Sequence, residues 1–159
     1  MSDRFPAWIT IGGELNEQTL VALAQAAQDD GAGTEWDAEI ADAKTLRAAI
    51  TAGEPIRLHN PEASYGRFED LERCCREHNL AYRRHSAAWS EHDAELATWW
   101  KGMDEPVCVA ADQAGNRALV PLEELQDALA AGQTLADVIA GMELAVAEIP
   151  PLRFVPAMK

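Results

Sequence analysis

The sequence predicts an α+β domain in which helices pack on a mixed sheet of about four to six strands. Short apolar, β-branched runs bounded by turn residues predict the strands. Longer stretches with apolar residues every three or four positions predict the helices. The 159 residues show no repeat or Pro/Gly/Ser linker, so residues 1–159 are predicted to form one domain with its own core.

Strands are predicted where apolar runs stop at turn-forming residues. Residues 7–11 (AWITI) end at a glycine pair, and residues 55–59 (PIRLH) end at an Asn-Pro step that cannot continue a ladder. Residues 80–85 (LAYRRH) predict a third strand. Residues 107–109 and 118–120 flank a polar loop and predict a hairpin.

Helices are predicted between these strands and after the hairpin, with ends set by capping residues. The marker residues in chain order are Asn16, Gly53, Asn79, Pro121 and the pair Thr134 and Asp137. Pro121 suits the first helical position, and Thr134 with Asp137 resembles a capping box.

Two segments leave alternatives open. Residues 95–101 fit a strand or a helix, and residues 152–155 fit an edge strand or an anchor across the core.

The charge is strongly negative and unevenly distributed. Lys and Arg number 13 against 27 Asp and Glu, which gives a net charge of −14. This balance excludes a general phosphate-binding surface and argues against docking on anionic lipid. By segment, residues 1–54 carry −7 and residues 86–159 carry −8, whereas residues 55–85 carry +1 and hold six arginines. We therefore expect no direct nucleic-acid binding and no membrane partner.

The most acidic stretch, residues 29–42, predicts the partner-binding surface. Six residues are assigned to it: Asp29, Asp30, Glu35, Trp36, Asp37 and Glu39. Tryptophan among carboxylates is typical of an interface anchor. The leading hypothesis is a non-enzymatic interaction protein whose partner is a basic protein or nucleoprotein complex. The alternative explanation of the acidity is solubility alone.

A second hypothesis is a small enzyme or ligand-binding protein with a His/Arg site within residues 57–92. Its site would use His59, Tyr82, Arg84 and His85, on predicted strands that could line one pocket. Arg83 and Arg84 are adjacent, so one faces away from the core and is free for an anion, a carboxylate or water. The sequence has no GxSxG elbow and no GxGxxG or P-loop spacing. We therefore assign no catalytic residue and no cofactor, and lean against an enzyme.

The cysteines leave a third hypothesis, a Cys/His metal-binding protein. Cys74 and His78 are four positions apart and would share one helical face, with Cys108 as a further ligand. A second ligand pair is missing, so no metal site is assigned. The chain has three cysteines, an odd number, and their positions indicate no set of disulfide bonds. With no signal peptide and no long apolar segment, this predicts a reducing, cytoplasmic location.

Four sequence segments of the chain resemble segments of small accessory proteins of bacterial phages and integrative elements. They are PAWITIGG, GRFEDLERCCREHNLAYRRHS, ELATWWKGM and VPLEELQDAL. The resemblance implies a cargo or host-interaction protein, such as an inhibitor of a bacterial defence system of the anti-CRISPR type. It assigns no functional residue.

Overall fold

A computed structural model of the chain describes residues 3–36, 39–89, 91 and 93–155. The described strands are β1 (Arg4–Leu15), β2 (Ile56–Ser64), β3 (Ala81–Ser86), β4 (Glu95–Trp99), β5 (Val107–Ala111), β6 (Ala118–Leu119) and β7 (Leu152–Phe154). The described helices are α1 (Glu17–Asp29), α2 (Ala43–Thr51), α3 (Glu69–Glu77), α4 (Leu122–Ala130) and α5 (Leu135–Val146).

The strands form one sheet in the order β2-β1-β3-β4-β5-β6, with antiparallel neighbours. β7 pairs with the end of β1 in parallel, which makes the sheet mixed. The α+β prediction is confirmed, with seven strands in the described residues. The two strands beyond the five predicted ones arise because both open segments form strands, as β4 and β7.

One face of the sheet carries α1, α2 and α3 over the main core. Alternate residues of β1 point to this side, because side chains of a strand alternate between faces. The fully buried members include Ile9, Ile11, Leu20, Leu23, Leu58, Phe68, Leu71, Cys75, Leu80 and Tyr82. Burial of these side chains is the main stabilisation of the domain.

The opposite face of the sheet is covered over β4–β6 by α5. A smaller apolar cluster of Trp8, Ala94, Leu96 and Ala111 lies on this side. Arg83 also points to this face and donates hydrogen bonds from Nε to Ala145 O at 2.8 Å and from Nη2 to Ala147 O. One of the two adjacent arginines was predicted to face away from the core and to be free for an anion, a carboxylate or water. Arg83 is that residue, but it binds the carbonyl groups left unpaired where α5 ends.

Several of the observed helix ends lie at the predicted capping residues. Asn16 caps α1, and Thr134 with Asp137 forms the predicted capping box of α5. Asn79 has the left-handed φ of 57° that ends the chain's third helix. Pro121 lies one position earlier than predicted, as the N-cap of α4. Within the described ranges, no helix is both long enough and apolar enough to cross a membrane.

Candidate functional site

The predicted acidic surface forms a loop held against the edge of the sheet. The backbones of Gly33 and His59 exchange hydrogen bonds of 2.9 and 2.7 Å, which ties the loop to β2. Glu35 and Glu39 are exposed, and the Trp36 side chain is 43% exposed. Asp29 is also exposed and accepts a hydrogen bond from Gln25. Asp37 lies outside the described residues.

Asp30 has a different role. It lies directly after α1, and its carboxylate caps the N-terminal end of α3. Its two oxygens accept from the backbone N–H groups of Leu71 at 2.8 Å and of Asp70 at 3.3 Å. The residue at the N-cap of α3 is Phe68, which has no side-chain acceptor. Burial raises the pKa of Asp30 to about 6. Its carboxylate is therefore engaged within the fold and does not belong to an exposed acidic row.

Asp30→Asn is expected to gain stability relative to the wild type as the pH rises from about 4 to above 6. The pKa of folded Asp30 is about 6 against an ordinary 3.8, so the folded state binds the proton more tightly. Stability from this group is complete below the ordinary pKa and is lost as the pH rises through the folded pKa. Asparagine keeps an acceptor oxygen but cannot ionise. Urea unfolding of both proteins across this range measures the difference, and a flat or falling difference would contradict the prediction.

The sheet divides the four residues of the predicted His/Arg site, so the prediction of one pocket is wrong. Trp8 is opposite both His59 and His85 in the registers of β1, which places the two histidines on one face. Tyr82 and Arg84 face α3 on the other side, where they contact Arg76 and Glu72. The physical reason is the two-residue alternation of strand side chains, which separates neighbours such as Arg84 and His85.

Arg84 is the centre of a buried charge network on the face of the sheet that carries α1, α2 and α3. It is 4% exposed, and its Nε donates to Glu72 at 3.0 Å. Its other nitrogens donate to Ser86 Oγ at 2.5 Å, Gly66 O at 3.3 Å and Glu95 at 3.3 Å. Burial alone lowers the pKa of Arg84, and the two carboxylates more than offset this. All three guanidinium nitrogens are used, so Arg84 organises this part of the fold instead of offering a free ligand contact.

The two histidines lie in a separate cleft, which we call the Trp8 cleft. It has a volume of about 380 Å³ and is lined by Pro6, Trp8, Trp36, Arg57, His59, His85, Ala87, Gln113 and Ala114. The Trp8 and His85 rings stack with centroids 5.1 Å apart. The Trp36 and His59 rings are 4.7 Å apart, and the Arg57 guanidinium lies 4.1 Å from the centroid of the Trp8 ring.

Both histidines of the Trp8 cleft have a lowered pKa, which favours the neutral ring. Burial lowers the pKa of each ring, and the charge of Arg57 lowers both further. His85 Nε2 is 3.2 Å from the backbone oxygen of Asp112. His59 Nδ1 is buried and has no hydrogen-bond partner among the described residues. The His59 ring as a whole is not without a partner, since a backbone hydrogen bond with Thr34 raises its pKa.

A third feature, not identified from the sequence, is the outer surface of α4 and α5, which we call the α4–α5 surface. Its exposed large apolar residues are Leu122, Leu129, Leu135, Ile139, Leu144 and Val146, each between 43% and 69% exposed. Its exposed carboxylates are Glu123, Glu124, Asp127, Asp137 and Glu143. The absence of Lys, Arg and His from residues 118–152 is the signal that marks this segment.

The three cysteines do not come together in one site. Cys74 and Cys75 are buried, and burial raises the pKa of both thiols, whereas Cys108 is exposed. His78 Nδ1 lies 3.5 Å from Thr19 Oγ1. Across the described part of the chain, no group of three or more His, Cys, Asp or Glu residues could hold a metal ion.

The comparisons with known proteins identify no relative. No family model matches the chain, and neither the curated proteins nor the solved structures contain a match.

Proposed function

We propose that this chain is a non-enzymatic interaction protein that binds a basic protein partner through the α4–α5 surface. The observation that supports it best is a pair of consecutive helices, α4 and α5, with exposed leucine, isoleucine and valine side chains inside a segment free of basic residues. In the fuller form of the proposal, the partner is a nucleic-acid-binding protein or complex, such as a host defence complex. The chain would inhibit it by occupying its basic surface.

The packing of α4 supports an interface at this place. The helix has nine residues, all of them described, and none is buried. Isolated helices shorter than about 12–15 residues are marginal in water, and tertiary packing supplies most helical stability in proteins. In α5 the buried residue is Ala145, so this helix also leaves most of its apolar side chains in solvent. A partner that covers the α4–α5 surface would supply the missing burial.

The negative charge of the α4–α5 surface favours a partner with a basic surface. Residues 118–152 carry six acidic residues, and the five within α4 and α5 are exposed. A second copy of the chain on the same surface would bring like charges together, which disfavours self-association. A basic, partly apolar surface would satisfy both the carboxylates and the exposed leucines. Binding of this kind weakens as salt screens the charges.

The acidic loop remains a predicted second contact. Asp29, Glu35 and Glu39 are exposed and can add to the attraction for a basic partner. Trp36, however, packs against His59 in the Trp8 cleft. We therefore propose the apolar anchor of the interface on α4 and α5 and not on Trp36.

An amphipathic peptide of leucine and lysine is expected to bind the full chain, whereas a leucine and glutamate peptide of the same length should not. Leu135→Ser with Ile139→Ser should weaken binding at least about tenfold, since each removes exposed apolar area worth more than 1 kcal/mol. Val21→Ser is the matched control, because Val21 is 60% exposed but lies on α1. Fluorescence anisotropy at several salt concentrations measures the affinities.

Three results would overturn the proposed function. The first is equal binding of both peptides, and the second is equal loss of affinity in the Val21→Ser control. The third is a salt-stable dimer that sedimentation detects in the wild type and not in the Leu135→Ser, Ile139→Ser protein, since a second copy would then be the occupant.

A further inference from the structure

We propose that the Trp8 cleft binds a small molecule in which a flat aromatic ring is joined to an anionic group, either a phosphate or a carboxylate. The cleft volume of about 380 Å³ falls within the usual range for small-ligand pockets. This site is independent of the α4–α5 surface and of the proposed function.

A ligand ring can reach Trp36, whereas Trp8 and His85 are only 9% and 4% exposed and form the buried wall of the cleft. Trp8 and His85 stack at an interplanar angle of 27° on neighbouring strands, and Trp36 reaches the cleft from the loop beside β2. Trp36 is 43% exposed, so a large aromatic surface is open to a ligand. Stacking on an aromatic side chain contributes substantially to binding of planar rings.

The hairpin loop between β5 and β6 holds these walls in place. Gly115 has a φ of +73°, and a Cβ atom there would lie 2.7 Å from Trp8 Cζ2 and 2.8 Å from His85 Cδ2. The loop can approach the two rings this closely because residue 115 is glycine. Gln113 and Ala114 of the same loop line the cleft. The stacked pair is therefore held by packing before any ligand arrives.

The anionic group is selected by charge. The described lining of the Trp8 cleft includes Arg57 and no Asp or Glu, although the chain has 27 acidic residues. Glu35 and Asp112 lie near the histidines without lining the cleft. The Trp8 ring face is already occupied by the Arg57 guanidinium, so a cationic ligand would meet repulsion there. A phosphate or carboxylate can pair with the same guanidinium.

His59 lies beside Trp36 in the cleft, with ring centroids 4.7 Å apart. Its Nδ1 atom is shielded from solvent, so His59 is assigned no direct contact with the ligand. The His59 ring supports the position of Trp36.

The test is calorimetric titration of the full chain with adenosine 5′-monophosphate, indole-3-carboxylate, adenosine and inorganic phosphate. We expect at least one of the first two to bind about tenfold tighter than adenosine or phosphate alone, since a charged hydrogen bond contributes that much. Comparing the first two distinguishes a phosphate ligand from a carboxylate ligand. Indole N–H shifts of Trp8 and Trp36 in NMR spectra locate the binding site.

Three variants decide the outcome. Arg57→Gln should reduce the affinity for the anionic probe to that for adenosine, and Trp36→Ala should weaken ring-bearing probes about tenfold. Trp36→Phe should restore most of the binding. Arg153→Gln is the charge control, because Arg153 pairs with Glu14 on the surface. Failure of every ring-bearing probe to bind, or binding unchanged by both Arg57→Gln and Trp36→Ala, would overturn the proposal.

Discussion

Replacement of Arg84 by methionine is expected to lower the free energy of unfolding by about 3–5 kcal/mol, the range found when one partner of a buried ion pair is removed. Glu72 is 6% exposed, and its Oε1 accepts from Arg84 Nε at 3.0 Å. Without the guanidinium, that carboxylate stays buried with one backbone donor, the N–H of Phe68. Ser86 and Gly66 O would also lose a hydrogen-bond partner.

A double-mutant cycle separates the pair from the general effect of substitution. Glu72→Gln alone should also destabilise the fold, whereas Arg84→Met with Glu72→Gln should cost less than the sum of the two, because no buried charge is left unpaired. Arg47→Met is the control, since its pair with Glu17 is exposed and such pairs contribute about 0–1 kcal/mol. If Arg84→Met is no more costly than Arg47→Met in urea unfolding, the assigned role of Arg84 is wrong.

Gly12→Ala is expected to destabilise the protein by about 3 kcal/mol or more, at the upper end of overpacking costs. A Cβ atom at position 12 would lie 1.7 Å from the backbone oxygen of Pro150 and 2.7 Å from Ile149 Cγ2. Backbone atoms cannot move aside as a flexible side chain can. The segment after α5 would have to leave β1, and the parallel pairing of β7 begins at the next residue, Gly13 with Leu152.

Gly141→Ala is expected to change stability in the opposite direction to Gly12→Ala. Gly141 lies inside α5, and a Cβ atom there would meet nothing within 4 Å among the described residues. Alanine is favoured over glycine in a helix interior by about 0.5–1 kcal/mol, so this variant should be slightly more stable.

For Gly12→Ala, hydrogen exchange of the Val155 amide, which donates to Leu15 O, reports whether β7 stays paired. Protection retained in Gly12→Ala would count against the steric argument.

Gly12 and Arg83 together position the proposed interface. Gly12 lets Ile149 and Pro150 lie on β1, and Arg83 binds the carbonyl groups of Ala145 and Ala147 at the end of α5. The C-terminal end of α5 is thus fixed to the sheet, while the outer side chains of α4 and α5 stay exposed. Loss of peptide binding in Gly12→Ala, with binding kept in Gly141→Ala, would show that this anchoring matters for the interface.

The local features of the fold could be predicted from neighbouring residues alone. Asn16, Thr134 with Asp137, and Asn79 act where they were expected, since caps and left-handed residues depend on atoms a few positions away. The α+β class followed from the spacing of apolar residues in the same way. The strand count was too low because the segments of β4 and β7 left alternatives open, and whether such a segment pairs depends on partners far along the chain.

The sites depended on tertiary structure. Sequence alone located the acidity of residues 29–42 and the arginines of residues 55–85, but it could not show that Asp30 caps α3 or that Arg84 is buried against Glu72. It grouped His59 and His85 with Tyr82 and Arg84, and the sheet placed each pair on its own face. The sequence determined which residue types were present and how they alternate. The folded sheet decided which of them meet, because burial and charge pairing are set by contacts between distant segments.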